Sequence, residues 1–521
     1  MSNTAPAEVQ PLTGSALVLG TIALSLATFM NVLDSSIANV SLPAIAGDLG
    51  VSPVQGTWVI TSFGVANAIS VPLTGWLTQR FGAVRLFTMS VLAFVVASWL
   101  CGFAHSLETL VLFRALQGLV AGPMIPLSQT LLLASYPKAK AGTALALWGM
   151  TTLVAPVAGP LLGGWITDNF TWPWIFYINV PVGLLAAGIS WSIYRKRETV
   201  IRKLPIDSIG LALLILWVGS LQLMLDKGKE LDWFHSGTIQ ILAVVAVVAF
   251  LFFVIWEWFD AHPVVDLHLF RGRNFTFGVI SISIAYGLFF GNLVLLPLWL
   301  QQWMGYTAVD AGWALAPVGF LAILISPIVG KQVSKRDPRI IATVAFLTFA
   351  LVLWMRANFT TGTDLPTIML PTVIQGAAMA CFFIPLTTII LAGIPPERMA
   401  AAAGLSNFVR IMFGAMGTSI STTLWENRAT LHHARLIEAR GQLGDPIVGQ
   451  TVQQLHGVAG FTDAQSAGFL NRLIDQQAFT RAADDIFLAS ALCFLLLIGT
   501  LWLTRRPAQQ AGGAADAAGA H

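Results

Sequence analysis

The sequence predicts an all-α polytopic membrane protein of fourteen spanning helices, arranged as two six-helix halves with two helices inserted between them. Three observations carry that expectation. Charged residues make up 10% of the 521-residue chain against 56% hydrophobic, with mean hydropathy +0.75. A soluble domain carries about 25% charged residues, so this chain has too little charge to solvate a globular surface. Fourteen stretches reach the roughly 20 apolar residues that cross a bilayer, and basic residues and short motifs recur along the chain so as to orient and divide them.

In chain order the stretches lie near 16–43, 56–77, 86–104, 109–133, 141–166, 174–194, 206–225, 237–258, 275–302, 308–330, 340–357, 365–392, 399–425 and 483–504. The leading segment, MSNTAPAEVQPLTGS, has no Lys or Arg. It lacks the basic region of a signal peptide, and the first stretch reads as a retained helix. With both termini placed in the cytoplasm, eighteen Lys and Arg fall in inside segments, and only Lys227, Lys229 and Arg356 fall in short outside loops. That bias is the positive-inside rule, and one helix more or fewer would scramble it. Eighteen tryptophans suit aromatic belts at the two interfaces. Cys101, Cys381 and Cys493 are far apart and form neither a disulfide framework nor a metal site. The net charge of +3 gives no sign of nucleic acid.

The two ends of the chain repeat. Ser-Leu-Pro43 matches Leu-Leu-Pro297 at an offset of 254, and Pro72-x-x-Gly75 matches Pro327-x-x-Gly330 at 255. Gln117-Gly118 matches Gln375-Gly376 at 258; Ile125-Pro126-Leu127 matches Ile384-Pro385-Leu386, and Pro137 matches Pro396, at 259. The near-constant offset divides the chain into a six-helix half over 1–195, a two-helix insertion over 196–264, and a second half over 265–505. That second half contains a long periplasmic loop, 426–482, and a low-complexity tail, 506–521, is expected to be disordered. Two parallel six-helix repeats about an axis along the membrane normal form the major-facilitator plan, with substrate bound between the halves near the midplane.

One carboxylate sits deep in this apolar frame. Asp34 lies in the middle of the first stretch, where an acid costs about 2.5–3.5 kcal/mol on insertion scales. Ala27, Thr28, Asn31, Asp34, Ser35 and Ala38 share one helical face with Asn39 at its edge, a polar stripe that must face protein or a water-filled cavity. Two readings fit: a structural hydrogen-bonding acid, or a proton-coupling carboxylate. Desolvation favours the protonated form of a carboxylate and a nearby cation the ionised form, so moving a cation would switch proton affinity. Arg114, in the fourth stretch, is the first candidate cation, and a fixed ion pair or a snorkelling arginine is its alternative. Arg410, in the thirteenth, is the second candidate; it also suits anionic drug groups, or a plain interfacial anchor. Asn31, Ser35, Asn39, Asn67, Gln129, Asn292 and Asn407 are candidates for cavity lining, each also explicable as an interhelical hydrogen bond. No second acid sits deep in a stretch.

Two further motifs concern motion. Pro156, Gly159, Pro160, Gly163 and Gly164 in the fifth stretch combine small-residue packing with helix-bending prolines, either as ordinary close packing or as a sliding seam between the halves. Gly75, Gln79, Arg80 and Gly82 frame the loop after the second stretch, as a turn with basic anchors or as a conformational latch. His432 and His433 have no third ligand at metal spacing, so no metal is expected. Gly330-Lys331 is followed by Gln332, so no ATP-binding P-loop occurs. No G-x-S-x-G or H-E-x-x-H signal occurs either, and no catalytic residue or enzymatic activity is expected.

At these residues the chain resembles the fourteen-helix drug:proton antiporter family, in particular its EmrB subgroup. The resemblance rests on Leu33-Asp34-Ser35-Ser36-Ile37-Ala38-Asn39-Val40-Ser41-Leu42-Pro43, on Arg114-x-x-Gln117-Gly118, on Gly159-Pro160-x-x-Gly163-Gly164, and on Trp172-x-Trp174-Ile-Phe176-x-Ile178-Asn179-Val180-Pro181. It runs from about residue 15 to 505. The loop signature departs at Gln79, where the family has Asp, which puts a charge-relay form of the latch in doubt. The resemblance implies export of hydrophobic or weakly acidic drugs from the Gram-negative inner membrane, driven by protons with no cofactor. It also implies a periplasmic EmrA-like adaptor and a TolC-like outer-membrane channel. Export of a natural metabolite or siderophore, and a transport-incompetent sensor or scaffold, are the competing readings.

Overall fold

The computed structural model describes residues 10–137, 140–202, 205–333, 335–440 and 461–506, with isolated positions 450 and 453. Of the expected disordered tail only Arg506 falls among them; the rest lies outside the described residues. Among the described residues the chain forms helices and turns and no strand. The long helices, in order, are α1 (Gly14–Asp48), α2 (Trp58–Phe81), α3 (Ala83–Gly102), α4 (Leu107–Ser135), α5 (Ala141–Asn169), α6 (Trp174–Tyr194) and α7 (Ser208–Lys227). They continue as α8 (Gly237–Phe259), α9 (Arg273–Gln302), α10 (Asp310–Val333), α11 (Pro338–Arg356), α12 (Leu365–Leu391), α13 (Met399–Arg440) and α14 (Asp463–Trp502). Thirteen helices among the described residues are long and apolar enough to cross a membrane. The remaining one, α5, is 29 residues long and covers the fifth expected stretch.

Close contacts repeat between the halves. A Cβ on Gly118 of α4 would collide with the carbonyl oxygen of Phe63 in α2. On Gly376 of α12 it would reach the carbonyl oxygen of Val318 in α10 at 2.5 Å. Residues 118 and 376, and 63 and 318, are related by the same offsets that the sequence motifs show. Small residues at both crossings let the backbones touch, which is how helices associate where lipid supplies no hydrophobic drive.

Across the halves the repetition continues as a pseudo-twofold. Gly75 of α2 sits against Ala401 of α13, where an added Cβ would lie 2.6 Å from the Ala401 Cβ. Gly330 of α10 sits against α5, with an added Cβ 2.7 Å from the Gly142 carbonyl oxygen and 3.0 Å from the Ala146 Cβ. The halves therefore meet at the ends of α2, α5, α10 and α13 nearest to Gly82, Lys140, Lys335 and Arg398.

The inserted pair α7–α8 lies against both halves. Trp217 of α7 meets Phe408 of α13 edge to face at 5.6 Å. Ser419 Oγ donates to the Leu225 carbonyl at 3.1 Å, and Lys227 Nζ donates to Thr57 Oγ1 at 2.9 Å.

Two expectations are corrected. Most of the described part of the expected loop 426–482 is helical. α13 runs 42 residues and α14 runs 40, roughly 60 Å each at 1.5 Å per residue, against a hydrocarbon core of about 30 Å. The extensions are polar, so hydropathy misses them, but they pair. Trp425 Nε1 donates to the Phe479 carbonyl at 2.8 Å, Trp303 stacks on Phe479 at 4.1 Å, and His432 and His433 each meet an aspartate, Asp485 and Asp475. A capping box at Thr462 and Gln465 starts α14. Secondly, Arg356 is the last residue of α11 and is buried, not an outside-loop charge.

Replacing Gly118 or Gly376 by Ala should each cost about 1–3 kcal/mol through overpacking. Gly149→Ala, with open space around it, should cost nothing. Thermal unfolding of the purified protein in detergent reads the difference.

Candidate functional site

The site grows from a helix crossing inside the N-terminal half. Asp34, midway along α1, is 2% exposed and Arg114 of α4 is 1% exposed. A buried carboxylate needs partners for its lone pairs, and four helices supply donors or support them. Arg114 Nη1 lies 2.5 Å from Asp34 Oδ2. Gln117 Nε2 donates to Asp34 Oδ1 at 3.0 Å, and Asn179 Nδ2 of α6 donates to the same oxygen at 2.8 Å. The carboxylate thus receives one charged and two neutral donors.

A second layer fixes those donors. Arg114 Nε donates to the Val59 carbonyl of α2 at 3.1 Å and Nη1 to Gln117 Oε1 at 2.7 Å. Its guanidinium lies 4.3 Å from the Phe63 ring centroid and 5.5 Å from that of Phe176. Asn179 also donates to Ser98 Oγ of α3 at 2.9 Å, and Ser98 donates to the Phe176 carbonyl at 3.0 Å. Cys101 Sγ approaches Gln117 Oε1 at 3.5 Å. Both Asp34 oxygens and the Arg114 Nε and Nη1 atoms are held by named partners, the geometry of a preorganised network.

The α1 stripe divides. Ala27, Thr28, Asn31, Asp34 and Ala38 are buried, whereas Ser35 is half-buried and Asn39 exposed. Thr28 shares a hydrogen with Ser128 at 2.7 Å, and Asn31 Nδ2 donates to the Ala121 carbonyl at 3.2 Å. Of the two surroundings open to the stripe, protein or a water-filled cavity, Asp34 has the first: it faces the packed interior of its own half. The small, hydrogen-bonding side chains of α1 let α4 approach that closely.

Arg114 reaches Asp34 directly, with no bridging group, and Arg410 is not its partner. Arg410 lies in α13 with Nη2 on Asn407 Oδ1 at 2.5 Å. Asn407 Nδ2 donates to Gln129 Oε1 of α4 at 3.1 Å, which brings three expected residues together across the halves. Asn292 stays inside the C-terminal half, donating to Ser490 Oγ at 3.0 Å. Asn67 is half-buried in α2 and its Oδ1 has no partner.

In the fifth helix, a Cβ on Gly159 would collide with Ser36 of α1, and one on Gly163 would lie 3.3 Å from the Ile37 carbonyl oxygen. Gly164 faces open space. The side chains of Pro156 and Pro160 lie outside the described residues. In the loop motif, Gly82 takes φ +87°, a left-handed conformation. It presents the α3 N-terminus to Glu198, whose carboxylate accepts from Val84 and Arg85 N–H at 2.9 Å each. The Gln79 carbonyl accepts from Arg202 N–H at 2.7 Å, and Arg80 lies over Trp76 at 5.5 Å. Gly75 is the cross-half contact described above.

Sequence reasoning missed Gln117, Asn179, Ser98 and Glu198 as site residues. Gln117 and Asn179 were visible within the family motifs. Ser98 and Glu198 carry no local signal, because only the fold brings them to α6 and α3.

The Major Facilitator Superfamily model matches residues 24–418. The chain is 53% identical to the Multidrug export protein EmrB of Escherichia coli strain K12 over 98% of this chain and 99% of the relative. It is 49% identical to the Fatty acid resistance protein FarB of Neisseria gonorrhoeae over 97% and 99%. Among solved structures, the proton:xylose symporter XylE matches at TM-score 0.54 and 13% identity over 93% of this chain and 96% of that one. That last likeness carries the fold alone.

Removing one partner of a buried pair strands the other charge, at about 3–5 kcal/mol. Arg114→Met should therefore destabilise the protein by about that much, and adding Asp34→Asn should recover part of the loss. A double-mutant cycle of unfolding midpoints in detergent measures the coupling.

Proposed function

The chain belongs to the EmrB-type group of the major facilitator superfamily, and from that premise we propose that it is a proton-coupled multidrug exporter working by alternating access. The single observation that best supports the coupling step is the Asp34–Arg114 pair, sealed from water inside the N-terminal half. When Asp34 is ionised, Arg114, Gln117 and Asn179 converge on it. When it takes a proton, the carboxyl loses its charge and Arg114 is left unneutralised, which costs several kcal/mol in a dry interior. Relief comes from a rearrangement of α1 against α4, and α1 also carries Ser36 into the Gly159 contact of α5.

The magnitudes agree. One proton brings about 2.3 kcal/mol per 100 mV and about 1.4 kcal/mol per pH unit. Their sum, about 3.7 kcal/mol, is of the same order as the cost of breaking the pair. It sustains a gradient of roughly a few hundred-fold for a neutral substrate. No cofactor is needed in this cycle.

We place both termini in the cytoplasm, on the basic-residue bias, in the bacterial inner membrane. The meeting of Gly75 with Ala401 and of Gly330 with Gly142 then lies at the cytoplasmic end, so the halves are closed inward and substrate leaves outward. The units are the halves 1–195 and 265–505 with the insertion 196–264. We propose hydrophobic or weakly acidic compounds as cargo, a reading favoured by relatives named for multidrug export and fatty acid resistance. A periplasmic adaptor and an outer-membrane channel would complete the path, with the paired extensions of α13 and α14 as the surface the adaptor meets.

Asp34→Asn keeps the shape of the side chain and removes its titration. In proteoliposomes with an imposed pH gradient it should lose uphill drug transport while equilibrium drug binding stays within about threefold. Transport at the wild-type rate would sink the coupling role.

A further inference from the structure

Three buried arginines among the described residues are neutralised in different ways. Arg114 meets a carboxylate. Arg356 meets two neutral oxygens, Thr372 Oγ1 at 2.9 Å and Gln375 Oε1 at 2.7 Å, both within the C-terminal half. Arg410 has the least. One side-chain oxygen, Asn407 Oδ1, takes its Nη2. Its Nε is buried with no hydrogen-bond partner, as is the Nε of Arg356. No described carboxylate lies within ion-pair distance.

What surrounds Arg410 is aromatic. Its Cζ lies 5.0 Å from the Tyr286 ring centroid and 5.3 Å from that of Phe383. Contact with ring faces recovers only part of the cost of desolvating a guanidinium. Five N–H donors in a planar fork match a carboxylate or phenolate oxygen pair. The location also matters. Asn407, which holds Arg410, donates across the halves to Gln129 Oε1 at 3.1 Å. Arg356, by contrast, touches only its own half and has no such link.

We propose that Arg410 is the head-group subsite for anionic cargo: a hydrophobic monoanion, carboxylate or phenolate, binds its Nε edge and lays its apolar body on Tyr286 and Phe383. This rests on the export reading above. The anion competes with Asn407 for the guanidinium, and a released Asn407 loosens its hold on Gln129. Anionic cargo thus weakens the clasp between the halves as it binds, whereas neutral cargo leaves the clasp untouched.

The test compares a matched pair of ligands, laurate and its methyl ester, by equilibrium binding to the purified full chain in detergent with no proton gradient. On Arg410→Gln the affinity for laurate should fall roughly 10- to 100-fold, the range for a lost charge-assisted hydrogen bond. The ester should change by less than about twofold, and Arg410→Lys, which keeps the charge without the fork, should fall between. A parallel loss for both ligands would mean a structural role and would overturn the proposal, as would unchanged laurate binding. Should the Gln variant fail to fold, the wild type and the Lys variant decide. Laurate must outbind the ester by at least about tenfold on the wild type, and equal binding of the two overturns the subsite. If laurate binds as expected but no proton gradient drives its movement in proteoliposomes, the export reading fails while the subsite stands.

Discussion

The charge balance of the N-terminal half rests on one ion pair taken out of water. Asp34 and Arg114 each replace hydration with fixed protein donors and acceptors, and the fold must deliver all of them at once. That requirement draws α1, α2, α3, α4 and α6 together around one point, because Asp34 is on α1, Val59 on α2, Ser98 on α3, Gln117 on α4, and Phe176 and Asn179 on α6. An arrangement so convergent resists gradual distortion. It is well suited to two discrete states, one with the carboxylate charged and one with it neutral, since any intermediate leaves a buried charge without a partner.

The two halves share a scaffold but differ in chemistry. Gly118 on Phe63 and Gly376 on Val318 are the same crossing made twice. Gln117 and Gln375, related by the same 258-residue offset, both accept from an arginine. The arginine comes from a different helix each time: α4 supplies Arg114 in the first half and α11 supplies Arg356 in the second, with Thr372 standing at the repeat position of Arg114. Of these two buried arginines, only Arg114 is set against a carboxylate. The proposed coupling step accordingly uses the pair of the first half.

Much of this was legible in the sequence. Apolar stretches longer than the bilayer is thick, and a carboxylate in the middle of the first of them, survive any choice of helix boundary. The pairing of Asp34 with Arg114 was one of two alternatives, and the helix crossing at Gly118 decides it. Three things were hidden. The polar extensions of α13 and α14 have no hydrophobic window, yet two helices that cover each other through Trp425 and Phe479 need none. The depth of Arg356 depends on where α11 ends, and a residue at a helix boundary reads equally as loop. The orientation of the Asp34 stripe depends on which neighbour is nearest, and periodicity shows a face without showing what covers it.

The contact between the halves is the remaining constraint. It is made where Gly75 meets Ala401, Gly330 meets Gly142, Asn407 meets Gln129, and Leu145 and Ala146 pack with Val329, Val333, Ala380 and Ile384. Small residues give close approach at the two glycines, buried aliphatic side chains pack between α5 and α10 and α12, and a neutral amide pair is worth about 1 kcal/mol net. The buried ion pair is kept inside one half, and the contacts between the halves described here are apolar or neutral. In the proposed cycle a proton at Asp34, worth about 3.7 kcal/mol under the gradient considered above, acts on the ion pair inside the first half, while parting the halves breaks apolar and neutral contacts.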